Sequence, residues 1–247
     1  MTEGLGLIVG SGVDALRLEV EARCRAKTPY GPPSGPVLKA RIAGRVVHCI
    51  ARHGEQGSIP PHSVNYRANL WALHEHGVRL CLAINAVGVI GGDGFEPGEL
   101  AVPVQLIDYT WGRAASFEEH ADGKVRHVEF TEPFDPELRG RLLTAASRGG
   151  RVSARGVYGV TQGPRLETAA EIERMARDGC TMVGMTAMPE AVLARELGWR
   201  YAICAVGVNH AAGRGSDPAG IHAQLERYLA RGMVRAAEVL ADLIAAL

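Results

Sequence analysis

The stretch "VYGVTQGPRLETAAEIERMARDGCTMVGM", Val157–Met185, decides the fold. Its first residues close an apolar, β-branched run that begins at Val152, and its last, Met182 to Met185, form a second such run. Between them Thr168 and Glu171 make a T-x-x-E capping box that opens the helical pattern "AAEIERMARDG". A helix between two short apolar strands is the unit of a layered α/β sheet.

Working outward, further strand-like runs are expected at Gly6–Val9, Arg45–Ile50, Arg79–Ile84, Leu100–Ile107 and Tyr201–Val208. Several are apolar throughout rather than alternating, as strands covered on both faces are. Ser63 is the expected cap of "VNYRANLWALHEHG", and Asp217-Pro218 the cap and first-turn proline of the last helix. The reading is one α/β domain over residues 1–247, a mixed sheet flanked by helices. One long irregular region, Asp108–Phe134, is expected to cover or border a site.

Composition excludes several function classes. The chain has 247 residues, 47% hydrophobic, enough for a substantial core. Lys plus Arg and Asp plus Glu number 27 each, so no excess of charge suits nucleic acid or an anionic membrane. The start, "MTEGLGLIVGSG", is acidic where a secretory leader is basic, and its apolar run is too short to span a bilayer, so a cytoplasmic protein is expected. Cys24, Cys49, Cys81, Cys180 and Cys204 form no CxxC pair and read as reduced core residues. His74 and His76 stand at i,i+2 on a helix and do not face one metal. No metal site and no cofactor are expected.

In such a sheet a ligand belongs at the carboxyl ends of strands. Those ends read "GSG" from Gly10, "ARHGEQ" from Ala51, "NAVGVIGG" from Asn85, "QGPRLET" from Gln162, "GMTAMPE" from Gly184 and "GVNHAAG" from Gly207. Ser11, Arg52, His53, Thr186 and the backbone near Asn85 and Ala86 supply donors for a small oxyanion such as phosphate. Glu167, Met185 and Asn209 supply an acceptor, a soft apolar wall and an amide for a neighbouring pocket. Taken singly, each has a plainer reading: a tight turn for "GSG", an ion pair for Arg52, a helix-terminus charge for Glu167, an Asx-turn for Asn209. "GLGLIVG" does not have the GxGxxG spacing of a dinucleotide fold, and Arg52-His53 stand where such a fold carries an acidic ribose ligand.

"ARHGEQGSIPPHSVNYRANLWAL" and "TQGPRLETAAEIERMARDGCTMVGMTAMPEAVLARELG", together with Asn209, closely resemble the purine nucleoside phosphorylase and 5′-methylthioadenosine phosphorylase family. The resemblance implies phosphorolysis of a purine nucleoside by a homotrimer or a dimer of trimers, with inorganic phosphate as co-substrate. It carries phosphate-binding roles onto Ser11, Arg52, His53, Asn85, Ala86 and Thr186. Base-side roles fall on Leu166, where relatives usually have Phe, and on Glu167, Met185, Asn209, His210 and Ala211. "GSIPPHSVNYRAN", Gly57–Asn69, is expected to reach a neighbouring subunit's site.

Two features narrow the substrate. A 6-oxopurine offers N1–H to the Glu167 carboxylate and O6 or N7 to the Asn209 amide, whereas adenine presents a lone pair at N1. Relatives acting on adenosine-type nucleosides carry aspartates in a T-D-Y-D-like pattern where this chain has "VNHAA". Where relatives bind the ribose 5′-hydroxyl with a histidine, the matching position is Ile221 or Leu225, both apolar and one helical turn apart. The expectation is 5′-methylthioinosine, with inosine or guanosine, or 5′-methylthioadenosine, as alternatives.

Overall fold

The computed structural model describes residues 3–10, 16, 18–117, 127–215 and 220–247. The expected capping box forms in full: Thr168 accepts from the Glu171 N–H, and the Glu171 carboxylate returns to the Thr168 N–H. It opens α3 (Ala169–Arg177), which links β9 (Val157–Val160) to β10 (Met182–Gly184), and β9 and β10 pair in parallel.

The centre of the sheet is β5 (Val78–Val89), with β1 (Gly4–Val9) parallel along one edge and β11 (Arg200–His210) parallel along the other. Beyond β1 the order runs through β4 (Arg45–Ala51), β3 (Val37–Ile42) and β2 (Glu19–Cys24). At its far end β5 pairs antiparallel with β10, which continues through β9 to β7 (Gln105–Asp108). A short branch, β6 (Leu100–Ala101) and β8 (Val152–Ser153), extends from β11.

Helices cover both faces. Leu70 and Leu73 of α1 (Tyr66–Glu75) and Ala191 and Ala194 of α4 (Ala187–Glu196) share one buried cluster with Ala83, Ile203 and Ala205. Leu138 and Leu142 of α2 (Pro136–Arg148) and Met233, Leu240 and Ile244 of α5 (Gly220–Ala246) share the other with Leu82, Cys204 and Val206. Each fully buried Leu or Ile contributes roughly 1.5–3 kcal/mol, which offsets the ordering of two layers on one sheet. All five cysteines are free, Cys24 half-buried and the others buried. Among the described residues no helix is long and apolar enough to cross a membrane.

Several expected boundaries are corrected. Asn65, not Ser63, caps α1, accepting from the Ala68 N–H at 3.2 Å; Ser63 ends a 3-10 turn, Pro61–Ser63, that Pro60 precedes. Leu100–Ile107 is two strands, because Pro103 has no N–H to continue a ladder, and β6 and β7 pair with different neighbours. Val152–Val160 is likewise β8 and β9. β5 and β11 run on past Asn85, Ala86 and Asn209, so these residues stand inside strands rather than at their ends. β2 and β3 form a hairpin whose outer strand, Glu-Val-Glu-Ala-Arg-Cys, is exposed and polar and so carries little apolar signal. The expected Asp217-Pro218 cap lies outside the described residues.

The long α5 lies directly on β11 where it lacks a side chain: a Cβ at Gly232 would stand 2.3 Å from Val206 Cγ1. Gly232→Ala gains about 1 kcal/mol of helix propensity and loses roughly 1–3 kcal/mol to overpacking against a stiff β-branched neighbour. The packing term wins, so urea unfolding is expected to show a net loss of up to about 2 kcal/mol, partly recovered by Val206→Ala through coupling of the two sites.

Candidate functional site

The topology leaves a gap where a site can form. β1 accompanies β5 only as far as Ile84, opposite Val9, and β10 joins the same edge only at Gly88, opposite Val183. Among the described residues, one edge of residues 85–87 is therefore without a strand. A cavity of about 440 Å³ lies there, lined on this side by Gly10, Arg52, His53, Ala86, Val87 and Thr186.

Arg52 is 1% exposed and is held by Glu190, equally buried, through Nε to Oε1 at 2.7 Å and Nη2 to Oε2 at 3.0 Å. Nη1 donates to the Ile84 carbonyl at 2.8 Å and Nη2 to Asn85 Oδ1 at 3.3 Å, while the Tyr201 hydroxyl donates to Glu190 Oε2 at 3.1 Å. Burial opposes the guanidinium charge, and the Glu190 carboxylate outweighs it and holds Arg52 protonated. One Nη1 N–H meets no acceptor among the described residues and lies beside Gly10, where an added Cβ would stand 3.0 Å from that nitrogen. Asn85 is buried under the cavity floor and donates through Nδ2 to Thr186 Oγ1 at 3.0 Å. His53 Nδ1 is 2.8 Å from the Ile59 carbonyl, so the ring donates there and presents Nε2 as an acceptor. Burial and then the charge of Arg52 lower its pKa, keeping it neutral near pH 7.

The other half of the cavity depends on a β-bulge. Gly207 lies opposite Val87, but the next partner of β5, Gly88, meets Asn209, leaving Val208 as the extra residue. Without the bulge Asn209 would fall on the face of Ile203 and Ala205; with it, Asn209 moves to the face of Ala86 and Gly88 and lines the cavity. Its Nδ2 donates to the His210 carbonyl at 2.7 Å, and Oδ1 accepts from no described residue, so the Asx-turn geometry is not what holds it. Facing it are Leu166, Glu167 and Met185. Glu167 Oε1 accepts from the Thr161 hydroxyl at 2.6 Å, which orients the carboxylate. Leu166 is 42% exposed at the mouth.

Ile221 and Leu225, the two alternatives for one position, both line the cavity, as expected of residues one helical turn apart. Ala211 lines it as well. His210 does not: its Nε2 lies 3.7 Å from Glu96 Oε2, away from the cavity. Gly57–Pro61 lines the cavity of its own chain. Ser11 lies outside the described residues.

Sequence reasoning missed Glu190, Tyr201, Tyr158 and Thr161. The signal for Glu190 is a lone acid on a helix face with Ala187, Leu193 and Ala194, a position that demands a buried cation. Tyr158, whose hydroxyl is 3.4 Å from Asn85 Nδ2, is buried with its pKa pushed up to about 12, and a phenol in an apolar run carries no such signal.

Comparison with known proteins bears on this geometry. The model of the phosphorylase superfamily matches residues 5–245. A probable S-methyl-5′-thioinosine phosphorylase of Xanthomonas campestris pv. campestris is 52% identical over 213 residues, 85% of each chain. A 6-oxopurine nucleoside phosphorylase of Pyrococcus furiosus is 43% identical over 215 residues, 85% of this chain and 80% of its own. The methylthioadenosine phosphorylase of Schistosoma mansoni, solved with adenine, superposes with a TM-score of 0.90 at 30% identity, covering 99% of this chain and 91% of its own. A strand gap with a buried arginine at one end and an amide and a carboxylate at the other thus sits on a known scaffold, and the chain belongs to the phosphorylase superfamily.

Proposed function

We propose that the protein is a 6-oxopurine nucleoside phosphorylase whose preferred substrate is S-methyl-5′-thioinosine, split by phosphate into hypoxanthine and 5-methylthioribose 1-phosphate. The observation that carries this reading is the pairing, in one cavity, of Glu167 and Asn209 with the apolar side chains of Ile221 and Leu225. The relatives from Xanthomonas campestris and Pyrococcus furiosus, as named, support a 6-oxopurine, and the first supports the methylthio group.

In this reading phosphate sits in the strand gap, against the Nη1 N–H of Arg52, the Thr186 hydroxyl and the backbone of Ala86, with His53 Nε2 accepting a phosphate O–H. A phosphate oxygen forms a bond to C1′ as the C1′–N9 bond breaks, and the bonding pair passes to the purine. The anionic base is stabilised by the second N–H of Asn209 at O6 or N7, while the free oxygen of Glu167 accepts from N1–H. Adenine would set a lone pair against that carboxylate, leaving two buried acceptors facing each other.

Arg52 cannot be tested by simple truncation. Arg52→Ala would leave Glu190 buried and unpaired at a cost of roughly 3–5 kcal/mol of stability. Arg52→Lys keeps a charge for Glu190 and loses the branch that reaches the cavity. The phosphate KM is expected to rise roughly 10- to 100-fold, with the nucleoside KM little changed. Unchanged phosphate saturation would remove Arg52 from the site.

Substrate choice is tested by phosphorolysis of methylthioinosine, methylthioadenosine, inosine and guanosine by wild type and Asn209→Asp. Wild type is expected to favour methylthioinosine, and the variant to lose roughly 10²–10³ in rate on it, since a carboxylate cannot donate and repels the developing charge. Equal turnover of inosine would shift the reading to an ordinary 6-oxopurine phosphorylase. A folded variant with an untouched preference would take Asn209 out of base recognition.

The assembly belongs to the same proposal. The number of subunits, three, comes from the family resemblance; two exposed apolar side chains, Trp111 at 72% and Leu166 at 42%, offer a surface on which a neighbouring copy can pack. Sedimentation velocity is expected to give a trimer or a multiple of it, and a fully active monomer would refute it.

A further inference from the structure

We infer that Arg113, from the irregular region after β7, is a positioning residue for base recognition: it fixes the separation of the two segments that wall the nucleoside half of the cavity. The inference rests on the reading of that cavity as a purine nucleoside site.

β9 and β10 stay in register through a last backbone bond, from the Thr161 N–H to the Gly184 carbonyl at 2.8 Å. Past it the chains part. One becomes the loop that brings Leu166 and Glu167 to the cavity, and the other brings Met185, ahead of Thr186, whose hydroxyl Asn85 Nδ2 holds independently at 3.0 Å. Among the described residues no further backbone bond joins them.

Arg113 takes over at this point. Nη2 donates to the carbonyls of Thr161 at 3.3 Å and Gln162 at 2.9 Å, on the first segment. Nη1 donates to the carbonyls of Met185 at 2.8 Å and Met188 at 2.5 Å, on the second. Nε reaches Gln162 Oε1 at 3.2 Å, and Nη1 lies 3.3 Å from the Tyr66 hydroxyl, whose ring the guanidinium also covers at 5.4 Å. None of these acceptors is a carboxylate. The guanidinium thus replaces the missing rungs, and only a planar fork of five N–H groups can meet acceptors on both sides at once.

The two segments also touch across this bridge. A Cβ at Gly163 would stand 2.5 Å from Met185 Sδ, so the spacing that Arg113 fixes is one in which the Met185 wall bears on the loop leading to Glu167. Arg113 itself does not line the cavity. It is only half-buried, so after its removal water can reach the freed carbonyls, and the loss falls on geometry more than on stability.

The test compares wild type with R113M and R113K, measuring KM for methylthioinosine and for phosphate separately, with calorimetric binding of hypoxanthine as a readout that needs no turnover. A displacement of the base-binding groups by about 1 Å costs on the order of 10²-fold, so R113M is expected to lose about that much in kcat/KM, chiefly through the nucleoside KM, with the phosphate KM within about twofold. Hypoxanthine binding is expected to weaken in parallel, and R113K to recover only a small part. Should R113M fail to fold, R113K carries the same split. Equal changes in the two KM values, or R113K binding hypoxanthine as wild type does, would overturn the inference. Wild type that neither binds hypoxanthine nor splits any purine nucleoside would overturn the underlying reading instead, and the inference with it.

Discussion

The pair Arg52–Glu190 is the interaction on which the site depends. Two charges are withdrawn from water at the junction of four elements: Arg52 follows β4, its Nη1 meets a carbonyl of β5, Glu190 belongs to α4, and Tyr201 reaches in from β11. A buried ion pair of this kind contributes little net stability, since desolvation consumes most of the attraction. What it contributes is geometry. Among the described residues, Glu190 and the carbonyl and amide oxygens of β5 occupy four of the five guanidinium N–H groups, and the fifth is left at the strand gap. The positive charge is fixed before any anion arrives, so little reorganisation is required of it.

The two halves of the cavity are built differently. The half proposed for the anion stands on strands and on a helix start locked by buried hydrogen bonds, with Asn85 under Thr186 as the clearest case. The half proposed for the base is carried by a loop, a bulge and the first turns of α5, and its polar groups bond within their own segment: Glu167 to Thr161, Asn209 to the His210 carbonyl.

Where local chemistry decides the structure, the sequence is legible. Thr168 and Glu171 satisfy each other over three residues, so the box can be read without knowing the fold. Arg52, His53, Thr186, Glu167 and Asn209 stand beside apolar runs, and the cavity gathers all of them. The illegible parts depend on partners distant in the chain. Strands β5 and β11 extend beyond their apolar runs because each continues to pair with the other, and the exposed β2 is a strand only because β3 pairs with it. Glu190, a lone acid on an apolar helix face, signals only that some cation is buried against it; that the cation is Arg52, 138 positions away, is settled by the fold. Arg113 sits in a region without periodicity, and four of its acceptors are backbone carbonyls, which leave no mark on side-chain identity.

The bulge in β11 bears on how such a site diversifies. Two residues of one strand answer a single glycine of the next, so the side chain at 209 is turned toward the cavity by an inserted residue and not by the alternation that governs the rest of the strand. The residue there answers to the cavity rather than to the alternation of the sheet: Asn209, 7% exposed, is a buried amide that follows an apolar run. If Asn209 reads the base as proposed, an exchange at that one position alters base recognition while the scaffold stays intact. Losing the extra residue would be the more drastic event, because it would turn the recognition group to the opposite face in one step.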